Sequence, residues 1–291
     1  MPVSRYPDWA SFASGAELSP ADGPVAFGAD LSPASVLGAY RHGLIPLPAP
    51  DEYFRTLNEV RYEDLVADGT IAMVGREDSD PYWVAWWSPD PRPVIGVGQV
   101  HLGRNLRKQL RRDGEWTTAN TRFAQVAEEC RAGREPRWLT DSLMTSLTEL
   151  HRDGWAHSIE VWLDGELVGG AMGVGIGGII SGDSLFARRP GAARVAVADM
   201  AARLARAGGS LIDAQWESPF LRSLGAVPVP REQYLTRLAG PASRIALPGE
   251  PLPARRLAPP AVALPLVRAA RAAGQGAAAT SSTSKPSPLA R

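Results

Sequence analysis

Apolar and polar positions alternate most regularly from His157 to Leu163. His157, Ile159, Val161 and Leu163 share one side and Ser158, Glu160 and Trp162 the other, which predicts a half-buried strand. Asp164-Gly165 supplies a hairpin turn, and the apolar runs Leu167 to Val174 and Ile179 to Phe186 continue the sheet. The glycine-rich Val174-Gly175-Ile176-Gly177-Gly178 lies between two strands, so it reads as a turn and not as a phosphate loop. Strands in such close succession are antiparallel. A helical period follows: Val197, Met200, Ala201 and Leu204 recur at i, i+3, i+4 and i+7, in a helix from about Ala192 to Ala207 closed by Gly208-Gly209. Ser210 to Trp216 returns to strand.

Upstream, a short strand near Val94 to Val97 precedes helices around Arg104 to Arg112, Thr121 to Arg131 and Thr140 to Arg152. A strand-helix-strand unit after an antiparallel meander predicts a mixed sheet whose last strands run parallel, with helices on its faces. Acyltransferases of the GNAT superfamily are arranged in this way. The expected fold is therefore mixed α+β and α/β: a GNAT-like domain over residues 93–240, preceded by a small α+β domain over 1–92.

In that small domain, Ser32 and Gly43 bracket a helix from Pro33 to His42, and Pro46-Leu47-Pro48-Ala49-Pro50 reads as a turn. Thr70 to Val74 and Tyr82 to Trp87 read as strands, and Ser88-Pro89-Asp90-Pro91 must turn. Residues 241–291 contain no Phe, Trp or Tyr and no sustained apolar period, which predicts a disordered, basic tail.

Composition narrows the function classes. Lys plus Arg and Asp plus Glu balance at 31 each over 291 residues, so any polyanion must meet a local patch. A single cysteine, Cys130, excludes an intramolecular disulfide framework and suits a reducing cytoplasm. No apolar stretch is long enough to span a bilayer, and the residues after Met1 lack the basic start and apolar run of a secretory signal. The four histidines, His42, His101, His151 and His157, lack metal-ligand spacing. No metal is expected. Cys130 follows Glu128 and Glu129, whose charge would raise its pKa, so no covalent nucleophile stands out.

Three segments remain as candidates for chemistry. Asp213 and Gln215 lie two apart in Leu211-Ile212-Asp213-Ala214-Gln215, so a strand aims both at one face. Such a pair is either satisfied structurally or placed in a wet cleft. Arg104, Arg107, Lys108, Arg111 and Arg112 make a basic helix face, with Leu102, Leu106 and Leu110 on the inner side. Phosphate binding and a plain solvated face both fit it. Arg188-Arg189-Pro190-Gly191-Ala192-Ala193 follows a strand and opens a helix, like the pyrophosphate loop of coenzyme A acyltransferases, because backbone N–H groups and the helix dipole favour an anion there.

Several segments together resemble leucyl/phenylalanyl-tRNA-protein transferases. They are Asp30-Leu31-Ser32-Pro33 with Ala39-Tyr40-Arg41-His42-Gly43, Trp86-Trp87-Ser88-Pro89-Asp90-Pro91-Arg92, and His157-Ser158-Ile159-Glu160-Val161-Trp162. Leu167-Val168-Gly169-Gly170, Leu211-Ile212-Asp213-Ala214-Gln215, and Ser223-Leu224-Gly225-Ala226 with Pro230-Arg231 agree as well. The resemblance spans about 24–239. It implies a monomeric transferase with no metal or coenzyme, acting on aminoacyl-tRNA and on acceptor proteins with basic first residues. The product would be marked for N-end-rule degradation. Asp213 and Gln215 match the family's catalytic pair; Asp213 would orient the attacking amine and accept its proton, and Gln215 would hold the aminoacyl group. Leu47, Trp138, Ala171, Asp183, Leu185, Val197 and Ile212 fall at substrate-binding positions, and Arg104, Arg107, Lys108, Arg111 and Arg112 at the tRNA-binding cluster.

The sequence departs from the family inside the pocket. Leu47 stands for a Trp, Asp183 for a Glu, Ala171 and Leu185 for Met, Leu147 for a Tyr and Ser218 for an Asn, whereas Trp138 and Ile212 are retained. Residues 51–80 form an insertion where the family has a short connection. A coenzyme A-dependent N-acyltransferase using the Arg188 to Ala193 loop, and a noncatalytic tRNA-binding protein, stand as alternatives.

Overall fold

The computed structural model describes residues 9–10, 12, 21–75, 80–101, 103–110 and 114–257. A first sheet contains β1 (Pro24–Gly28), β2 (Ile45–Pro48), β3 (Ala72–Val74) and β4 (Val84–Trp87) in the order β2-β4-β1-β3. Helix α1 (Pro33–Arg41) starts as the sequence requires: the Ser32 hydroxyl accepts from the Ser35 N–H, and Pro33 takes a position that needs no donor. Pro46 to Pro48 is strand and not the expected turn. It forms the edge strand β2, where a missing N–H is tolerated. The insertion carries helix α2 (Glu52–Ala67), capped by Asp51, which buries Tyr62 against Phe27.

The second sheet begins at β5 (Arg92–Gly96). It adds β6 (Glu115–Ala119), β7 (Ala156–Leu163), β8 (Glu166–Ile176), β9 (Ile179–Ser181), β10 (Ser184–Ala187), β11 (Leu211–Asp213), β12 (Val227–Val229) and β13 (Leu252–Pro253). Its order is β12-β5-β11-β9-β8-β7-β6-β13, with β10 also paired to β8. The meander β6 to β8 is antiparallel and β11 runs parallel to β9, the mixed pairing that the pattern predicts. Asp164 and Gly165 turn the β7–β8 hairpin at φ 53° and 83°, conformations that suit these residue types.

Helices α3 (Arg104–Leu110), α4 (Phe123–Arg131), α5 (Asp141–Arg152), α6 (Ala192–Arg206), α7 (Pro219–Ser223) and α8 (Arg231–Leu238) follow in chain order, and short 3-10 turns lie at Pro81–Trp83 and Ala254–Arg256. The pleat of β8 separates two apolar clusters. Leu167, Met172 and Val174 join α4 and α5 in one, which also takes in Trp86 and Tyr40 of the first sheet and its helix; Val168 and Ala171 join α6 and α3 in the other.

Glu160 shows how a buried charge is made tolerable. It is fully buried on β7, yet it accepts from Ser158 Oγ at 2.6 Å, Thr118 Oγ1 at 2.5 Å, Thr121 Oγ1 at 2.9 Å and the Arg122 N–H at 3.3 Å. Arg122 offers no side-chain cap to α4, so Glu160 supplies that function from another element. Glu160→Gln is expected to lower the free energy of unfolding by about 1–3 kcal/mol in urea titrations. A change near zero would show that the four bonds add nothing.

Residues 241–257 depart from the expected tail. Ile245, Leu247, Ala254 and Leu257 are buried, and β13 covers the edge of β6. Arg203, paired with Asp199 at 2.7 Å, donates to the carbonyl oxygens of Thr117 at 3.1 Å and Glu250 at 2.9 Å, and to that of Pro248. The segment is thus held by a few widely spaced apolar side chains and by two of its backbone carbonyls meeting one arginine, which leaves no apolar period in the sequence. The remainder of the predicted tail, 258–291, lies outside the described residues. Among the described residues no helix is long and apolar enough to cross a membrane, and no group of three or more His, Cys, Asp or Glu is placed to hold a metal.

Candidate active site

The cleft forms where the second sheet forks. Strand β8 pairs with β9 through Gly175↔Ile180 and with β10 through Ser184↔Met172, so the chain gains one residue between the two pairings. That bulge at Gly182-Asp183 fits only because Gly173 faces it: a Cβ on Gly173 would stand 1.5 Å from the Ser181 carbonyl oxygen. Strand β11 follows β9 and not β10. The two branches part, and Asp183 from one meets Gln215 from the other.

Gln215 reaches this point by leaving the strand. The predicted strand to Trp216 ends at Asp213, because Gln215 takes φ 60°, a left-handed conformation unfavourable for a residue with a Cβ. Its side-chain Nε2 donates to Ser181 Oγ at 2.8 Å and to Asp183 Oδ1 at 2.6 Å, while its backbone N–H donates to Asp213 Oδ1 at 2.9 Å. Asp213 and Gln215 are therefore joined through the backbone, and their side chains face different partners.

Asp213 is fully buried. Arg92 Nε donates to its Oδ1 at 2.8 Å and Arg92 Nη2 to its Oδ2 at 2.6 Å, and the Tyr234 hydroxyl donates to Oδ2 at 3.0 Å. Arg92 Nη1 also donates to the Gly43 carbonyl at 3.2 Å, and its guanidinium lies 4.6 Å over the Tyr234 ring. Burial works against the Arg92 charge, but Asp213 and Tyr234 outweigh it and raise the pKa above its ordinary value. Burial, and then the Asp213 charge, push Tyr234 well above the ordinary phenol range.

Two carboxyls line the cleft: Glu217, which is paired with Arg222 at 2.6 Å, and Asp183. Burial raises the pKa of Asp183 to about 7, helped by the nearby Asp213 charge and opposed by hydrogen bonds from Ser181, Tyr40 and Gln215. A carboxyl poised near neutrality can both hold and release a proton at working pH. Cys130 is no rival, since burial, before any neighbouring acid, lifts its thiol to about 12.

The cleft has a volume of about 200 Å³. Of the expected substrate positions, Leu47, Trp138, Asp183 and Leu185 line it with Gln215. Ala171, Val197 and Ile212 sit below the surface, in the cluster against which Leu185 packs, and Ala171 pairs with Leu185 across β8 and β10. Trp216 and Phe220 also line the cleft, and Trp216 meets Trp87 edge-on at 6.3 Å. Sequence reasoning passed over these two, and over Arg92, Tyr234 and Tyr40. For Arg92 and Tyr40 the signal was present, since both stand in the quoted motifs.

Arg104, Arg107 and Lys108 are exposed on α3, whereas Arg111 and Arg112 lie outside the described residues. Lys108 contributes to a second cavity of about 570 Å³ with Arg189, Gly191 and Arg194, away from the fork. Arg188, the first residue of the coenzyme A-like loop, is turned instead to Glu129 on α4, with Nε at 3.0 Å from Oε2.

Fold and cleft together define a mixed α/β protein in which a fork between strands sets a carboxyl that titrates near neutrality beside a side-chain amide. The chain belongs to the leucyl/phenylalanyl-tRNA protein transferase family, whose description matches residues 94–239. Relatives bearing that name include one from Xanthomonas campestris pv. campestris (strain B100), 38% identical across 86% of this chain and 90% of the relative. One from Thiobacillus denitrificans is 36% identical across 78% of this chain and 88% of its own length. One from Chromohalobacter salexigens is 37% identical across 76% of each.

Proposed function

We propose that the protein transfers an amino acid, leucine- or phenylalanine-like, from aminoacyl-tRNA to the N-terminal α-amine of an acceptor protein, marking it for degradation in the cytoplasm. The observation that carries the site assignment is the fork, which turns Asp183 and Gln215 onto one small cleft. A GNAT-like reading of the second sheet is supported by its antiparallel meander followed by α6 and a parallel strand. The exposed cations of α3 are the proposed contact for the tRNA backbone, to be joined by Arg111 and Arg112.

In the reaction the amine nitrogen attacks the ester carbonyl carbon, a C–N bond forms, and the C–O bond to the tRNA ribose breaks. The amine loses a proton, and the departing ribose oxygen gains one. Gln215 already commits its N–H donors to Ser181 and Asp183, which leaves its carbonyl oxygen to accept from the amine. Asp183 is the proposed proton acceptor. Asp213, with both oxygens engaged in the interior, acts by holding Gln215. Orientation and removal of a proton suffice, because the ester is an activated acyl donor.

Transfer from individually charged tRNAs to peptides that begin with Arg, Lys or other residues tests this reading. Labelled leucine or phenylalanine should appear at the peptide N-terminus, with basic first residues preferred. Absence of transfer from every charged tRNA, together with thermal stabilisation by acetyl-coenzyme A, would favour the acyltransferase alternative and overturn the proposal.

A further inference from the structure

We infer that Arg92 and Tyr234 are positioning residues for aminoacyl transfer, acting through Asp213 on the backbone of Gln215. The inference rests on the assignment of Gln215 to the reacting cleft. Neither residue reaches that cleft: Arg92 is 1% and Tyr234 3% exposed, and neither lines its walls. Both donate to Asp213, which is itself closed to solvent and accepts from the Gln215 N–H.

The geometry shows what that route does. Gln215 stands at φ 60°, where a residue with a Cβ persists only if its surroundings hold it. The hold is the bond from the Gln215 N–H to Asp213 Oδ1 at 2.9 Å. That oxygen is fixed in turn by Arg92 Nε, and its sister oxygen by Arg92 Nη2 and the Tyr234 hydroxyl. Three distant pieces of chain therefore meet on one carboxylate: the start of β5, the helix α8 and β11. Gly43 lets α8 come close, since a Cβ there would lie 2.4 Å from Leu235, and its carbonyl accepts from Arg92 Nη1. If the carboxylate rotates, the Gln215 backbone loses its anchor, and the amide that faces Asp183 at 2.6 Å moves with it.

Tyr234→Phe is the gentlest probe, because it keeps the ring beneath the guanidinium and removes one hydrogen bond. In the full chain, single-turnover transfer from charged tRNA should slow about 10-fold, with the KM for tRNA unchanged within about twofold and the thermal midpoint little altered. The decisive measurement is a double-mutant cycle. In a Gln215→Ala background the same Tyr234→Phe change should slow the residual rate by less than about twofold, because the residue it positions is gone. Arg92→Lys, which replaces a two-pronged donor by a single point charge, should show the same loss of coupling. An equal fold-loss in both backgrounds, or a loss located in KM, would overturn the relay while leaving the transferase reading intact. A normal rate for Gln215→Ala alone would remove Gln215 from the chemistry and take both down.

Discussion

Asp213→Asn is expected to abolish measurable transfer and to lower the free energy of unfolding by about 3–5 kcal/mol. Asparagine has nearly the shape of aspartate, so the effect does not come from a cavity. It comes from charge and donor count. Arg92 is almost completely buried and directs Nε and Nη2 at the two carboxylate oxygens. An amide offers one oxygen and presents N–H groups where the second acceptor was, leaving a guanidinium in the interior without its counter-ion. Urea denaturation gives the stability loss, and single-turnover transfer gives the activity loss. A double change, Arg92→Met with Asp213→Leu, separates them: removing both charges together should recover much of the stability and none of the transfer. Loss below about 1 kcal/mol for Asp213→Asn would show that the pair is solvated in solution, contrary to its burial here.

How far the sequence disclosed this arrangement depends on the range of the interaction. Alternation placed β7 within a residue, and local chemistry placed the starts of two helices: Ser32 caps α1 and Thr140 caps α5 through short-range bonds that a run of a few residues can specify. The small strand β2 escaped because two prolines at an edge look like a turn. The fork escaped for a different reason. Parity along a strand assigns Asp213 and Gln215 to one face, but the left-handed backbone at Gln215, where the Asp213 side chain accepts from the N–H two residues on, breaks the parity. What holds that backbone is Asp213, two positions earlier, whose carboxylate is fixed in turn by Arg92, 121 positions away in sequence. The same holds for the segment after Pro241, where Arg203 holds the carbonyl oxygens of Pro248 and Glu250, which carry no sequence signature. That Asp213 and Gln215 lie together was thus legible; that their side chains face different partners was not.

That difference in partners carries the second prediction, for Asp183. Asp183→Asn is expected to reduce transfer by about 10²–10⁴-fold, the usual contribution of a positioned proton acceptor, and to change the shape of its pH dependence. With the carboxyl at about 7 through burial, wild-type transfer should rise as pH increases through 7, because only the ionised form accepts the amine proton. The variant should lose that limb and follow only the acceptor amine, which titrates near about 8. Stability moves in the opposite sense. A carboxyl whose folded pKa lies above its ordinary 3.8 binds a proton more tightly in the folded chain, so wild-type stability falls as pH rises from about 4 and levels off once 7 is passed. Asp183→Asn removes the group that titrates, and its stability should vary less over that window. An Asp183→Asn protein that transfers within about threefold of wild type and retains the limb at 7 would assign the proton to another acceptor. The Ser181 hydroxyl, which donates to Asp183 at 2.7 Å and accepts from Gln215 at 2.8 Å, bridges the same two groups and would be the first to replace next.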